Sequence, residues 1–207
     1  MNLYLMIVIK MVYEPKNFDH LLGTKGFSDQ LLKNHFTLYQ GYVTNTNKLS
    51  EILSMLLKEG KAGPDYAELK RRFGWEFNGM RLHEYYFGNM IKDGKELKKE
   101  LRFFKKVLED FGMYENWEKD FKATGTMRGI GWVILYYDQI ANRFFNVWIN
   151  EHDLGHLSGA IPILIMDVFE HAYMIDYGLK RADYIEAFFK AINWEVVVNR
   201  FDIASKK

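Results

Sequence analysis

Asp167-Val168-Phe169-Glu170-His171 closes an apolar run and sets a carboxylate and an imidazole four residues apart. Ile161 to Met166 is short, apolar and rich in β-branched residues, so it reads as a buried strand. Asp167 then falls at the strand end and His171 about one turn later, and the two donors can converge on one point. An isolated D-x-x-x-H is equally what a helix-capping aspartate and an ordinary half-buried histidine would look like. The remaining histidines decide. The chain has six: His20, His35, His83, His152, His156 and His171. His35, Tyr39 and Tyr42 follow one another at steps of four and three, which at 3.6 residues per turn places them on one inward stripe of a helix. His83 lies in a second helical region beside Tyr85, Tyr86 and Phe87. Two antiparallel helices could aim both imidazoles inward. With Asp167 and His171 added, three neutral nitrogens and one carboxylate surround a point, a donor set that suits iron or manganese as well as zinc.

These residues need elements to hold them. From about Asp19 to Met90 apolar side chains recur at helical steps, and Gly60 with Ala62-Gly63-Pro64 separates two long helical regions. Lys92-Asp93-Gly94-Lys95 ends this half. Charged amphipathic helices are predicted near Glu96 to Leu108 and Asn116 to Phe121. The period then changes. Gly131 to Tyr137 and Arg143 to Ile149 read as strands around a turn at Asp138 to Asn142, Ile161 to Met166 is a third strand, and helices from Asp183 to about Phe201 close the chain. The expected fold class is α+β: a long-helix hairpin over residues 1–92 and an α/β domain with a three-stranded antiparallel sheet over residues 93–207.

Composition bounds the chemistry further. The 207 residues are 48% hydrophobic and 16% aromatic, enough for a sizeable core. With 28 basic and 27 acidic side chains the net charge is +1, so neither nucleic acid nor another polyanion is an expected partner. Zero cysteines remove disulfides, thiolate ligands and a cysteine nucleophile, leaving nitrogen and oxygen donors for a metal. The apolar run Leu3 to Ile9 is too brief for a membrane span and lacks the flanks of a signal peptide. No membrane association is expected, and the location is expected to be cytoplasmic. The first ten residues are expected to be an extension without a catalytic role.

Asp167 to Tyr173, followed by Asp176-Tyr177, Arg181 to Tyr184 and Asn193-Trp194, resembles the C-terminal signature of the iron/manganese superoxide dismutases. Gly129 to Trp132 resembles the family's glycine-tryptophan strand start, Asn78 to His83 its second-helix ligand segment, and Gly41-Tyr42-Val43 with Asn45 and Asn47 the end of its first long helix. The resemblance implies a superoxide dismutase that turns superoxide, a small anion, into dioxygen and hydrogen peroxide with one Fe or Mn ion per subunit. It implies His35, His83, Asp167 and His171 as metal ligands and Tyr42 and His152 as residues of the proton path, His152 bonding solvent on the metal. A histidine at the position of His152 resembles the archaeal-type members, and activity with either metal is compatible with it. The family usually counts eight residues from the first ligand back from Tyr42, which lands on Asn34. Loss of a one-residue π-bulge would bring His35 inward instead, so a bulge-free helix is expected.

The resemblance also implies a homodimer or homotetramer with Glu170 at the two-fold interface. Tyr39 and Met174 replace the family's usual histidine and tyrosine pair across that interface, so a repacked contact is expected. Phe87, Trp132 and Phe169 would wall the site, and Arg181 is a candidate for local steering of the anion. Two other functions fit the same four donors: a zinc hydrolase, and a non-catalytic metalloprotein of superoxide dismutase type.

Overall fold

The computed structural model describes residues 13–206, and the Leu3 to Ile9 run and the first ten residues lie outside that range. Helix α1 (Asp29–Lys58) starts at Ser28, whose side chain accepts the Leu31 N–H at 3.1 Å, a serine cap on an otherwise unpaired donor. Helix α2 (Pro64–Gly88) begins with a proline where its missing N–H costs nothing, and returns antiparallel to α1. Both helices bury one stripe, Leu31, Leu32, His35, Tyr39 and Tyr42 on α1 and Gly79, Met80, Leu82, His83 and Phe87 on α2.

Helices α3 (Arg102–Phe111) and α4 (Tyr114–Gly125) lead into strands β1 (Gly131–Asp138), β2 (Arg143–Asn150) and β3 (Ile161–Asp167). The sheet order is β2-β1-β3, antiparallel throughout, with β1 central and nearly all buried. After the 3-10 turn Glu170–Ala172 come α5 (Met174–Tyr177), α6 (Arg181–Lys190) and α7 (Trp194–Ala204). The expected α+β architecture with a three-stranded antiparallel sheet is observed. Apolar side chains from α1, α2, the sheet and the closing helices join in one connected core. Among the described residues no helix is long and apolar enough to cross a membrane.

One helix starts later than its charge pattern predicts. Expected from Glu96, α3 begins at Arg102. The preceding segment is committed elsewhere: Ile91 N–H donates to the Ala191 carbonyl at 2.8 Å, and Gly94 lies so close to the Lys190 carbonyl that no Cβ would fit.

A candidate metal centre between the two halves

Asp167 ends β3 directly opposite Trp132 of β1, so the two side chains share a sheet face. Its Oδ1 accepts the Phe169 N–H at 2.8 Å, which turns the chain toward His171 and leaves Oδ2 free. Three imidazole nitrogens meet that oxygen: His35 Nε2 at 3.2 Å, His171 Nε2 at 3.2 Å and His83 Nε2 at 3.6 Å. His35, His83 and Asp167 are buried, and His171 is the most open of the four. Their donor atoms all lie within 4.8 Å of one another.

The geometry suits an ion. Bonds of about 2.1 Å at angles of about 90–120° hold ligand atoms about 3.0–3.6 Å apart, the range observed around Oδ2. Buried polar atoms are nearly always partnered, yet both His35 nitrogens and His83 Nε2 have no hydrogen-bond partner. Burial lowers His35 to about 4 and His83 well below the ordinary histidine range, so both rings are neutral and offer lone pairs at neutral pH. Burial also opposes charge on Asp167, but the His171 and His35 imidazoles outweigh it and hold the carboxyl well below the usual carboxylate range. His83 Nδ1 lies at 2.5 Å from the Gly79 carbonyl, which can only accept, so Nε2 is the nitrogen facing the cluster.

Helix α1 is an α-helix from end to end, and its phase turns His35 rather than Asn34 toward the cluster. His35 is buried in the cluster, whereas Asn34 is exposed and accepts a hydrogen bond from Gln30 at 2.7 Å. Gly79 is equally constrained. A Cβ there would stand 2.6 Å from the Tyr42 ring, so any side chain must push Tyr42 aside. We expect Gly79→Ala to cost about 1–3 kcal/mol of stability, an overpacking effect, and to reduce turnover at the same time. Thermal melts and kinetics of that variant check this, and an unchanged rate would show that Tyr42 tolerates displacement.

Tyr42 and His152 come together although 110 residues separate them: His152 Nε2 lies 2.8 Å from Tyr42 Oη. The proton positions follow from chemistry. Trp132 Nε1 only donates, and it reaches His152 Nδ1 at 3.0 Å. Burial lowers His152 to about 4, so the ring is neutral and its single proton sits on Nε2. Nε2–H therefore donates to Tyr42 Oη, and the Tyr42 hydroxyl keeps its own proton to give elsewhere. Burial raises the Tyr42 pKa, keeping that proton in place. The ring of Tyr42 stacks on His83 with centroids 5.1 Å apart. Both His152 nitrogens thus have protein partners, Trp132 and Tyr42.

Aromatic rings enclose the cluster. Phe87 packs 4.8 Å from His35, Trp132 4.9 Å from His83 and Phe169 5.1 Å from His171, measured between ring centroids. Tyr39 is fully buried, accepts the Lys16 N–H at 3.0 Å and donates to Glu84 at 3.1 Å, while Met174 is exposed. The Arg181 guanidinium donates to the Met127 and Gly129 carbonyls and to the Tyr173 hydroxyl, fastening a loop.

Sequence reasoning missed Trp75, which packs 4.4 Å from His152 and donates to Glu151 at 3.1 Å. It placed Tyr86 beside His83 and Tyr184 in the C-terminal signature but did not foresee that their hydroxyls meet at 3.1 Å. Tyr184 donates to the Asp167 carbonyl at 2.6 Å and so fixes the end of β3. No local signal distinguishes these from ordinary core aromatics.

A family model described as the C-terminal domain of iron/manganese superoxide dismutases matches residues 99–200. The chain is 38% identical over 202 residues to the iron superoxide dismutase of Aquifex pyrophilus, covering 93% of this chain and 92% of that one. It is 36% identical over 197 residues to a manganese superoxide dismutase of Haloferax volcanii, covering 94% and 98%. With relatives of this identity along most of its length, and four convergent metal donors at its centre, the chain belongs to the iron/manganese superoxide dismutases.

Proposed function

We propose that this protein is a superoxide dismutase, converting superoxide to dioxygen and hydrogen peroxide, with one iron or manganese ion held by His35, His83, Asp167 and His171. The observation that carries this reading is the meeting of three imidazole nitrogens on one carboxylate oxygen, two of the three without any other partner. Relatives of similar identity are named for manganese and for iron, which fits a donor set that suits either. An ion held by these four residues would supply one-electron redox chemistry between its divalent and trivalent states.

The protein's own residues do the rest. Phe87, Trp132 and Phe169 pack against the donor histidines and shield them from bulk water. Tyr42 Oη, accepting from His152, holds a proton whose remaining direction is outward from that bond, so it can pass to a small anion beside His83. Trp132 sets the His152 tautomer on which this direction depends. A zinc hydrolase would need space for an ester or phosphate group, and the aromatic wall argues against it.

We also propose a homodimer or homotetramer with Glu170 at the two-fold interface. His171 is the one donor residue open at the surface, and Glu170 and Met174 stand exposed beside it with Ile175 and Leu179. A second subunit would cover this edge of the cluster. Glu170→Ala is expected to lose metal and assembly together, with metal affinity down about 10- to 100-fold. Sedimentation showing an unchanged oligomer with full metal content would break the link. The C-terminal-domain match starting at residue 99 supports a division into residues 1–92 and 93–207.

Protein purified from metal-replete cells tests the functional reading. Superoxide consumption should rise in proportion to iron or manganese content across preparations, and zinc-filled protein should be inert. Ester or phosphate hydrolysis with zinc, and no superoxide loss with iron or manganese, would reverse it.

A further inference from the structure

His152 sits on the loop after β2, a kind of position that is ordinarily mobile, yet its imidazole must stay within hydrogen-bond reach of Tyr42. Glu151 beside it adopts a left-handed φ of 47°, a conformation that a non-glycine residue keeps only when its surroundings impose it. Asn150 and Leu154 exchange backbone hydrogen bonds at 2.8 and 3.3 Å, which closes the turn without touching the His152 peptide. The fastening of that peptide comes from His156. Its Nε2 lies 2.9 Å from the His152 carbonyl, and its Nδ1 lies 2.7 Å from Tyr136 Oη.

The directions of these bonds are fixed. A carbonyl only accepts, so His156 carries its proton on Nε2 and donates it to His152. With the ring's proton on Nε2, Nδ1 accepts from the Tyr136 hydroxyl. Asn78 Nδ2, which can only donate, lies at 3.4 Å from the same Nε2, a longer and weaker contact than that to the carbonyl. Tyr136 belongs to the central strand and is buried, and the ladder register shifts between Leu135 and Tyr136. The extra residue lies on β3, at Ile163, so Tyr136 keeps its place in the regular alternation of β1. A rigid strand thereby reaches through Tyr136 and His156 to the backbone of His152, and onward to Tyr42.

We propose that His156 is a positioning residue for the reaction: it holds the His152 carbonyl so that the His152 imidazole reaches Tyr42, and Tyr136 sets the tautomer that lets it do so. This rests on the superoxide dismutase reading and extends it to a residue outside the metal cluster and its contacts.

The test is a double-variant cycle on the iron-loaded protein, read by azide affinity from the optical spectrum and by superoxide turnover. His156→Ala and Tyr136→Phe should each weaken azide binding and lower kcat about tenfold while keeping the bound iron. His156→Gln should restore both, because an amide can donate to the carbonyl and accept from the phenol. On a His152→Ala background, His156→Ala should add nothing further, since it acts through His152. Additive losses in the double variant, or unchanged azide affinity and kcat in the single ones, would overturn the proposal. If His156→Ala fails to fold, Tyr136→Phe, which removes one oxygen, carries the cycle instead. Wild-type protein that binds azide but consumes no superoxide would sink the functional reading, while the azide measurements would still judge the clamp.

Discussion

Asp167→Ala is expected to yield protein without its ion. The three imidazole nitrogens of His35, His83 and His171 converge on Asp167 Oδ2, so its removal takes away both a donor and the group that collects the other three. Losing a group one bond further out costs about 10- to 100-fold in metal affinity, and loss of a direct donor should exceed that. His83→Ala and His171→Ala should behave in the same way, and so should His35→Ala. Asn34→Ala is the control: its side chain is exposed and bonded to Gln30, so metal should stay at one ion per subunit. Metal analysis of the purified variants checks each case. Stoichiometric metal in His35→Ala, with loss in Asn34→Ala, would show that the first helix presents the other residue.

His152→Ala should show the opposite pattern, with metal retained and turnover lost. The histidine gives the Tyr42 oxygen its donor and takes the Trp132 N–H, so alanine leaves one phenol unrestrained and one indole unpartnered. An unpaired buried donor costs about 1–3 kcal/mol, and a misdirected proton donor costs about 100-fold in rate. The potential of the bound ion is expected to shift as well, since the groups that stabilise charge beside it have changed. Each 1.4 kcal/mol of imbalance between the oxidised and reduced forms is about a tenfold change in their ratio, so one half of the reaction becomes limiting. Tyr42→Phe should lower turnover in the same direction. Full activity of His152→Ala with both metals would mean that another residue governs the proton.

Much of this arrangement is legible in the chain because periodicity speaks directly to burial. The steps from His35 to Tyr39 to Tyr42 mark one helix stripe, and the β-branched run before Asp167 marks the strand that presents it; both are observed. Even the missing bulge of α1 could be inferred by counting residues to Tyr42. Contacts that depend on how elements cross were not legible. Nothing near Tyr42 signals that its partner is His152, and nothing near His156 signals that the Tyr136 hydroxyl will meet it. The pairing of Ile91 with Ala191, far away in sequence, was not legible either. The commitment of Arg181 to three oxygens of its own chain likewise appears only once the loop at Met127 is folded against it.

The central claim is that this chain, with one ion among His35, His83, Asp167 and His171, disproportionates superoxide. The most direct measurement is superoxide decay followed by stopped flow after reconstituting apoprotein separately with iron and with manganese. The account predicts catalytic decay with at least one of the two ions, proportional to bound metal and absent from apoprotein and from the Asp167→Ala variant. Stoichiometric binding of both metals with decay no faster than in buffer would contradict it.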